Sequence, residues 1–413
     1  MVISRKSYNK YDVYIFLLMA SLVAGDLFGA FQIPRILAIL FLIPCARCYP
    51  QCKFLISEMK NYALLFLLYS FLSCLWAPTD ASESLLATGY NVVHMILFFE
   101  IIIFSRPAKN AINAIFAGFL VAFSISAVIA VWEIVSDNHL YTSKKTEAVT
   151  MNTGYEIYLR YFAAVTFYNF NMYSTFICFV IPFLFFGITN KRLKNNWRLF
   201  DVIVFLVSVA LLLYNGSRGA LVALSLMFIV FFLFSFISGR RNRVFIILFS
   251  FFLIFTLFYF RSVLFNTLIL RSSAMNYEDE ARFSIWTNAF MVVKEYFFIG
   301  CGAGGISNAM KAYAHGGITI PHNIFLEILS QYGLFFLCVF VVFLVKIFLH
   351  ASKIKDISRK LCVYQSLISF PFIGIINSGY LAAPSLWAFI ASLYVFANYE
   401  RIKSIHKSVR RTT

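Results

Sequence analysis

The sequence predicts an all-α polytopic membrane protein, one integral membrane domain over 1–413, and three observations predict it. Hydrophobic residues make up 61% and aromatic residues 19% of the 413 positions. Charged residues fall to 13%, against about 25% in soluble domains. Apolar runs of roughly 20 residues recur along the chain, and in lipid such runs must be helices, because each unpaired backbone group costs several kcal/mol there.

The spans follow in order. The first, 13–31, comes after Arg5, Lys6 and Lys10; it is too long for a signal-peptide core and lacks a small-x-small cleavage site, so it reads as a retained anchor. Spans at 33–47 and 61–76 flank a basic stretch with Arg47, Lys53 and Lys60, and 87–104 ends before Arg106 and Lys109. Span 111–135 leads into a long connection, 136–169. After it come 170–189, 200–214, 219–238 and 244–261, divided by the basic clusters at Lys191 to Arg198 and Arg240 to Arg243. A second long connection, 262–322, precedes the last three spans, 323–349, 361–378 and 381–398. The total is about 12 spans, and an even number puts both termini on one side. The basic clusters fall on that side together with the basic C-terminal tail, which makes the termini cytoplasmic.

The net charge of +17 therefore reports orientation, and nucleic-acid binding is set aside. The eight cysteines are scattered through apolar runs and form no disulfide framework. Cys45-Ala-Arg-Cys48 with Cys52 has metal or redox spacing, but no partner pair completes four ligands. His139 and His315 complete no metal-binding spacing, so no cofactor and no metal are expected. His94 and Glu100 lie inside a span, where ionisable groups are functional suspects, although they are not spaced to share a helix face.

Both long connections, 136–169 and 262–322, fall on the non-cytoplasmic side. Long loops carry function or disorder, and the second is too rich in aromatic and small apolar residues for disorder. Arg282, Trp286, Phe290, Tyr296 and Phe297 suggest an amphipathic helix along the membrane surface, ending in the close-packed turn Phe298 to Gly305.

Three places there could carry chemistry. In Asn215-Gly-Ser-Arg-Gly-Ala220, an abrupt polar hairpin, Arg218 suits bidentate recognition of a phosphate; the plainer reading is an interfacial Arg reaching headgroups. Gly216 and Gly219 would let a bulky anion approach the backbone. Arg282 could be a second phosphate ligand, or could pair locally with Glu278, Asp279 or Glu280; Arg261 and Arg271 compete for that role. In Ile320-Pro-His-Asn-Ile-Phe-Leu-Glu327, proline favours a first helical turn and Asn323 can cap it. His322 then sits at a helix N-terminus near guanidinium groups, which keeps it neutral and able to accept a proton, or it is a structural histidine.

Ser217-Arg218-Gly219-Ala220, Arg282 with Ile285-Trp286 and Gly300-Cys-Gly302, and Pro321-His322-Asn323 with Leu326-Glu327 and Gly333 together resemble the O-antigen ligase and polymerase superfamily. A looser match runs from Arg160 to Asn171. The resemblance implies a C-type glycosyltransferase-like architecture in the bacterial inner membrane, a periplasmic active site, and a metal-independent reaction. It implies an undecaprenyl-diphosphate-linked glycan as donor and, as acceptor, a lipid-linked repeat for a polymerase or lipid A core for a ligase. Membrane lipids and a chain-length regulator are further implied partners. By the same resemblance Arg218 and Arg282 hold the donor, His322 is essential, and Arg160 and Asn323 bind substrate. The expected function is polymerase, with ligase as the alternative. A twelve-span transporter or flippase is the rival class, but such proteins place polar or broken helices at the bilayer midplane in paired halves, and here the suspects gather at the outer rim.

Overall fold

The computed structural model describes residues 8–136, 138–142, 149–152, 157–160, 162–190, 195–237, 275–314 and 317–409. The described residues form a helical bundle with one short ribbon. The predicted span 244–261, and with it Arg261 and Arg271, lies outside the described residues, as do the side chains of Glu278, Asp279 and Glu280.

Helix α1 (Lys10–Ala20) starts at a reciprocal cap: the Asn9 side chain accepts from Asp12 N, and the Asp12 carboxylate accepts from Asn9 N at 2.8 Å. The same carboxylate accepts from Asn110 N at 2.7 Å, which ties α1 to the head of α5. Two single 3-10 turns follow, Ser21–Ala24 and Gly29–Phe31, so the first apolar run stops being α-helical at Ala20. Helices α2 (Ile33–Leu40) and α3 (Leu42–Ser73) meet at a 62° bend.

Helix α3 corrects the expected loop between 47 and 61, because it runs through the whole basic stretch. The reason is a buried stripe at helical spacing: Cys45, Cys48, Cys52 and Ile56 all face the core, so charged neighbours can occupy the other face. The three thiols are packing groups.

Helices α4 (Ala81–Ser105) and α5 (Ala111–Ser136) come next. The connection 136–169 contains β1 (Val149–Asn152) and β2 (Ile157–Arg160), paired antiparallel with Val149 opposite Arg160. Helix α6 (Phe170–Thr189) is apolar on all sides and buried on all sides, as such a helix must be. Phenylalanines hold it: Phe183 stacks on Phe119 at 4.4 Å and Phe179 on Phe389 at 4.3 Å. Around it stand α7 (Asn195–Asn215), α8 (Arg218–Ile237), α12 (Ile357–Ile373) and α13 (Pro384–Val409). Among the described residues five helices are long and apolar enough to cross a membrane, or six with the bent α2–α3 pair counted as one span.

The described part of the connection 262–322 contains two helices, α9 (Met275–Glu295) and α10 (Ile306–Ala314). Ile285, Ala289 and Val292 make the buried stripe of α9, while Phe283, Phe290 and Phe297 are exposed. The buried face of α9 is aliphatic; Phe290 is on its exposed side, and Phe297 lies beyond its end.

Helix α11 (Ile324–Ser352) breaks at Gly333, whose φ is 83° and ψ 177°. A break strands backbone carbonyls and N–H groups that lipid cannot satisfy, and the Gly-rich turn pairs with them. Cys301 N donates to Ser330 O at 2.7 Å, Gly302 N to Gln331 O at 3.0 Å, and Leu334 N to Phe298 O at 2.9 Å. The fit requires glycine on both sides. A Cβ on Gly300 would come within 2.5 Å of Gln331 O, and one on Gly333 within 2.5 Å of Phe298 O and Ile299 O.

Candidate functional site

The turn after α12, residues 374–376, is where the three predicted segments meet. Ile324 N, at the head of α11, donates to Gly374 O at 2.8 Å. Arg282 Nη1, from α9, donates to Ile375 O at 3.2 Å. Gly219, at the head of α8, lies so close that a Cβ there would sit 3.0 Å from Ile376 Cγ1. Three segments distant in sequence therefore dock on three consecutive residues.

Arg218 is the first residue of α8 and half-buried. Gly216, with φ 61°, turns the chain out of α7, its N–H donating to Leu212 O at 2.9 Å. A cation at a helix N-terminus opposes the dipole, so Arg218 is poorly placed for helix stability and well placed for an anion, which the positive end of the helix and the guanidinium would both attract. Asn215, just before it, is fully buried and clasps Ala163, accepting from Ala163 N and donating to Ala163 O, each at 3.0 Å.

His322 immediately precedes the cap of α11 and has φ 47°, a left-handed conformation that a non-glycine residue adopts only when its surroundings hold it. Trp286 does so in part: its indole N–H donates to Pro321 O at 3.0 Å. Asn323 caps the helix, its Oδ1 accepting from Phe325 N at 2.9 Å and Leu326 N at 3.3 Å, as its position predicts. Burial pushes the His322 imidazole down to about 4, and the nearby Arg282 charge adds to that. The ring is neutral at pH 7 and can accept a proton.

Arg282 and His322 are thus close enough to interact, and Gly219, the neighbour of Arg218, packs on the same turn. Arg160 ends β2, and its side chain lies outside the described atoms; the strand leads to Ala163, which Asn215 holds.

Two arrangements escaped the sequence reading. Glu327, one turn into α11 and buried, accepts from Tyr380 N at 3.1 Å and Leu381 N at 3.2 Å, fixing the far end of the docking turn. Its signal was a carboxylate in an apolar span. Arg35, inside the span expected at 33–47, is buried in α2. Its Nε donates to His94 Nε2 at 3.2 Å, its Nη2 to Ala382 O at 2.7 Å, and its guanidinium lies 3.8 Å from the Tyr90 ring centre. Since His94 Nε2 accepts, Nδ1 carries the hydrogen and donates to Leu381 O at 2.9 Å, so His94 is a neutral structural link. Glu100 is fully buried and its oxygens have no hydrogen-bond partner among the described residues.

An apolar groove of about 370 Å³ runs along α11 from Ile328 to His350, walled by Phe66, Phe98, Phe336 and Phe343. It begins one helical turn from the site.

No curated protein matches the chain. Residues 203–341 match the profile of the family described as O-antigen ligase. That stretch takes in Arg218, Arg282 and His322 together with the break at Gly333, so the resemblance to the O-antigen ligase and polymerase superfamily rests on the same segments that build the site.

Proposed function

We propose that the chain is a glycosyltransferase of the bacterial inner membrane, with both termini cytoplasmic and the connections 136–169 and 262–322 in the periplasm. It moves an undecaprenyl-diphosphate-linked glycan onto a sugar hydroxyl, acting as a surface-polysaccharide polymerase. The observation that carries this reading is the docking of α8, α9 and α11 on residues 374–376, with Arg282 beside His322.

The acceptor hydroxyl attacks the anomeric carbon, its proton passes to His322, and the bond to the diphosphate breaks with the electron pair leaving on phosphate oxygen. Arg218 and Arg282 offset the charge that develops there, and fixed cations in a partly dehydrated site act more strongly than in water. The apolar groove beside α11 suits the polyprenyl chain. Asn323 spends its carbonyl oxygen on the cap, so its amide N–H is what it can offer substrate. Arg160 would add a further cation at the donor end.

His322→Ala should abolish transfer and leave donor binding intact, whereas changes at Arg218 or Arg282 should weaken donor binding. Normal transfer by His322→Ala membranes would overturn the base assignment. The family's description as ligase favours a second reading, attachment of finished glycan to lipid A core. Surface-glycan gels of a deletion strain separate the two: a lost polymerase leaves core bearing a single repeat, and a lost ligase leaves bare core with polymer accumulating on undecaprenyl diphosphate.

A further inference from the structure

At the end of α9 the chain makes a turn whose side chains are ill suited to water. Phe297 is 84% exposed, Ile299 54% and Phe298 42%. Phe297 and Phe298 also take left-handed backbone, with φ 46° and 61°, where a turn in water favours glycine or asparagine. Bare rings on strained backbone are unfavourable twice over in an aqueous setting.

The backbone of the same turn is paired inside the protein. The N–H groups of Phe297, Phe298 and Ile299 donate to Lys294 O, Val293 O and Tyr296 O at 3.1, 2.9 and 3.0 Å. The carbonyls of Phe298, Ile299 and Gly300 accept from Leu334 N at 2.9 Å, from the Tyr69 hydroxyl, and from Trp76 Nε1 at 3.0 Å. Backbone that leaves a helix at membrane depth is tolerated only where its polar groups find such partners. Apolar side chains turned outward over a paired backbone are what a lipid environment selects.

The surroundings agree. Leu334, bonded to Phe298, begins the exposed length of α11, a helix long and apolar enough to cross a membrane, so the turn continues the apolar surface that this helix shows. Tyr69 and Trp76 meet edge to face at 5.7 Å and aim their polar ends at the turn; such amphipathic rings are favoured at the membrane boundary. Charge returns immediately before the turn, where Lys294 Nζ lies 5.3 Å from the Phe290 ring centre and Glu295 accepts from the Tyr313 hydroxyl at 3.0 Å. The aliphatic face of α9 is not available for lipid, because Ile285, Ala289 and Val292 pack with Ile306 and Met310 of α10.

We propose that residues 297–299 are a wedge inserted among the acyl chains of the bilayer, in the leaflet where α11 begins, and that the wedge anchors the tip of α9. The assignment rests on the membrane placement proposed above and is independent of the transfer reaction. Helix α9 carries Arg282 and Trp286, whose bonds to Ile375 O and Pro321 O help build the site, so lipid steadies one end of a helix that protein contacts steady along its length.

The test places nitroxide spin labels on the full chain in nanodiscs of phosphatidylethanolamine and phosphatidylglycerol. Cys74 and Cys338, the cysteines that are not buried, are first removed as Cys74→Ser and Cys338→Ala. Single labels then go on Phe297→Cys and Ile299→Cys, with Val342→Cys on α11 marking lipid and Ala312→Cys on α10 marking water; all four side chains are exposed, so the interior is left intact. Dissolved oxygen concentrates in hydrocarbon, whereas a charge-neutral nickel chelate stays in water. Labels at 297 and 299 should lose collisions with the chelate down to the level of the Val342 label and collide freely with oxygen. Either label lying nearer the Ala312 level overturns the wedge. So does a label shielded from both reagents, which marks a surface covered by a second copy or another protein. A Val342 label that meets the chelate as often as the Ala312 label overturns the membrane placement itself, and the wedge with it.

Discussion

Trp286 and Pro321 are joined by an indole N–H to carbonyl bond of 3.0 Å, and that bond couples a loop helix to the residue preceding His322. The left-handed backbone at His322 is thus held from outside its own helix. Trp286→Phe keeps most of the packing and removes the donor, leaving a buried carbonyl unpaired at a cost of about 1–3 kcal/mol. The expected outcome is roughly a tenfold lower kcat with donor affinity unchanged, measured with purified protein and lipid-linked glycan.

The acid limb of the rate profile should report His322. Its base form exists above a pKa of about 4, so kcat/KM for the donor should be level through neutral pH and fall by half near pH 4. Arg282 lowers that pKa; removing the cation favours imidazolium, so Arg282→Gln should move the limb to higher pH. Bound diphosphate neutralises the same cation, so the limb in kcat should also lie above the limb in kcat/KM. A limb that ignores Arg282→Gln would place the titrating group elsewhere.

Arg218→Lys keeps the charge and removes the planar fork. Donor binding should weaken by about 1.5–3 kcal/mol, the worth of a charge-assisted hydrogen bond. Direct titration of undecaprenyl diphosphate into the variant reads the loss, with an unchanged melting temperature as the control.

Gly333→Ala places a Cβ 2.5 Å from two carbonyl oxygens at a φ of 83°. Strain of this kind costs about 1–3 kcal/mol, and the turn at 300–302 would have to withdraw from α11. Thermal unfolding in detergent should show a lower midpoint, and transfer should fall with it.

Glu327→Ala leaves the N–H groups of Tyr380 and Leu381 without an acceptor inside the protein. The expected loss is about 1–3 kcal/mol for each, read as the same kind of shift. Glu327→Gln retains an acceptor and should lose less.

Much of this was legible in the amino acids. Helix α6 follows from an unbroken apolar run, and the three site segments from polar residues set where such runs stop. Asn323 was readable as a cap because its place before Ile324 leaves it little else to do. The holder of the site was not legible, because residues 374–376 contribute carbonyl oxygens and a methylene, groups that every residue or many residues own. The α3 stripe of Cys45, Cys48, Cys52 and Ile56 was hidden by the charges interleaved with it. The role of Arg35 was not legible because its partners, His94 and Ala382, come from remote parts of the chain. The break at Gly333 was visible only as a glycine; what it serves depends on Gly300 and Gly302 arriving to meet it.

That clasp has a mechanical meaning. The segment from Ile324 to Tyr332 is buried and stitched to the Gly-rich turn, whereas beyond Gly333 the helix shows Leu334, Phe335 and Val342 to its surroundings. Leu334 N is bonded to Phe298 O in that same turn, so the clasp spans the break and fixes where the exposed length of the helix begins. The place of His322 is thereby set by contacts made within the protein, at the buried end of a helix whose other end is apolar and exposed.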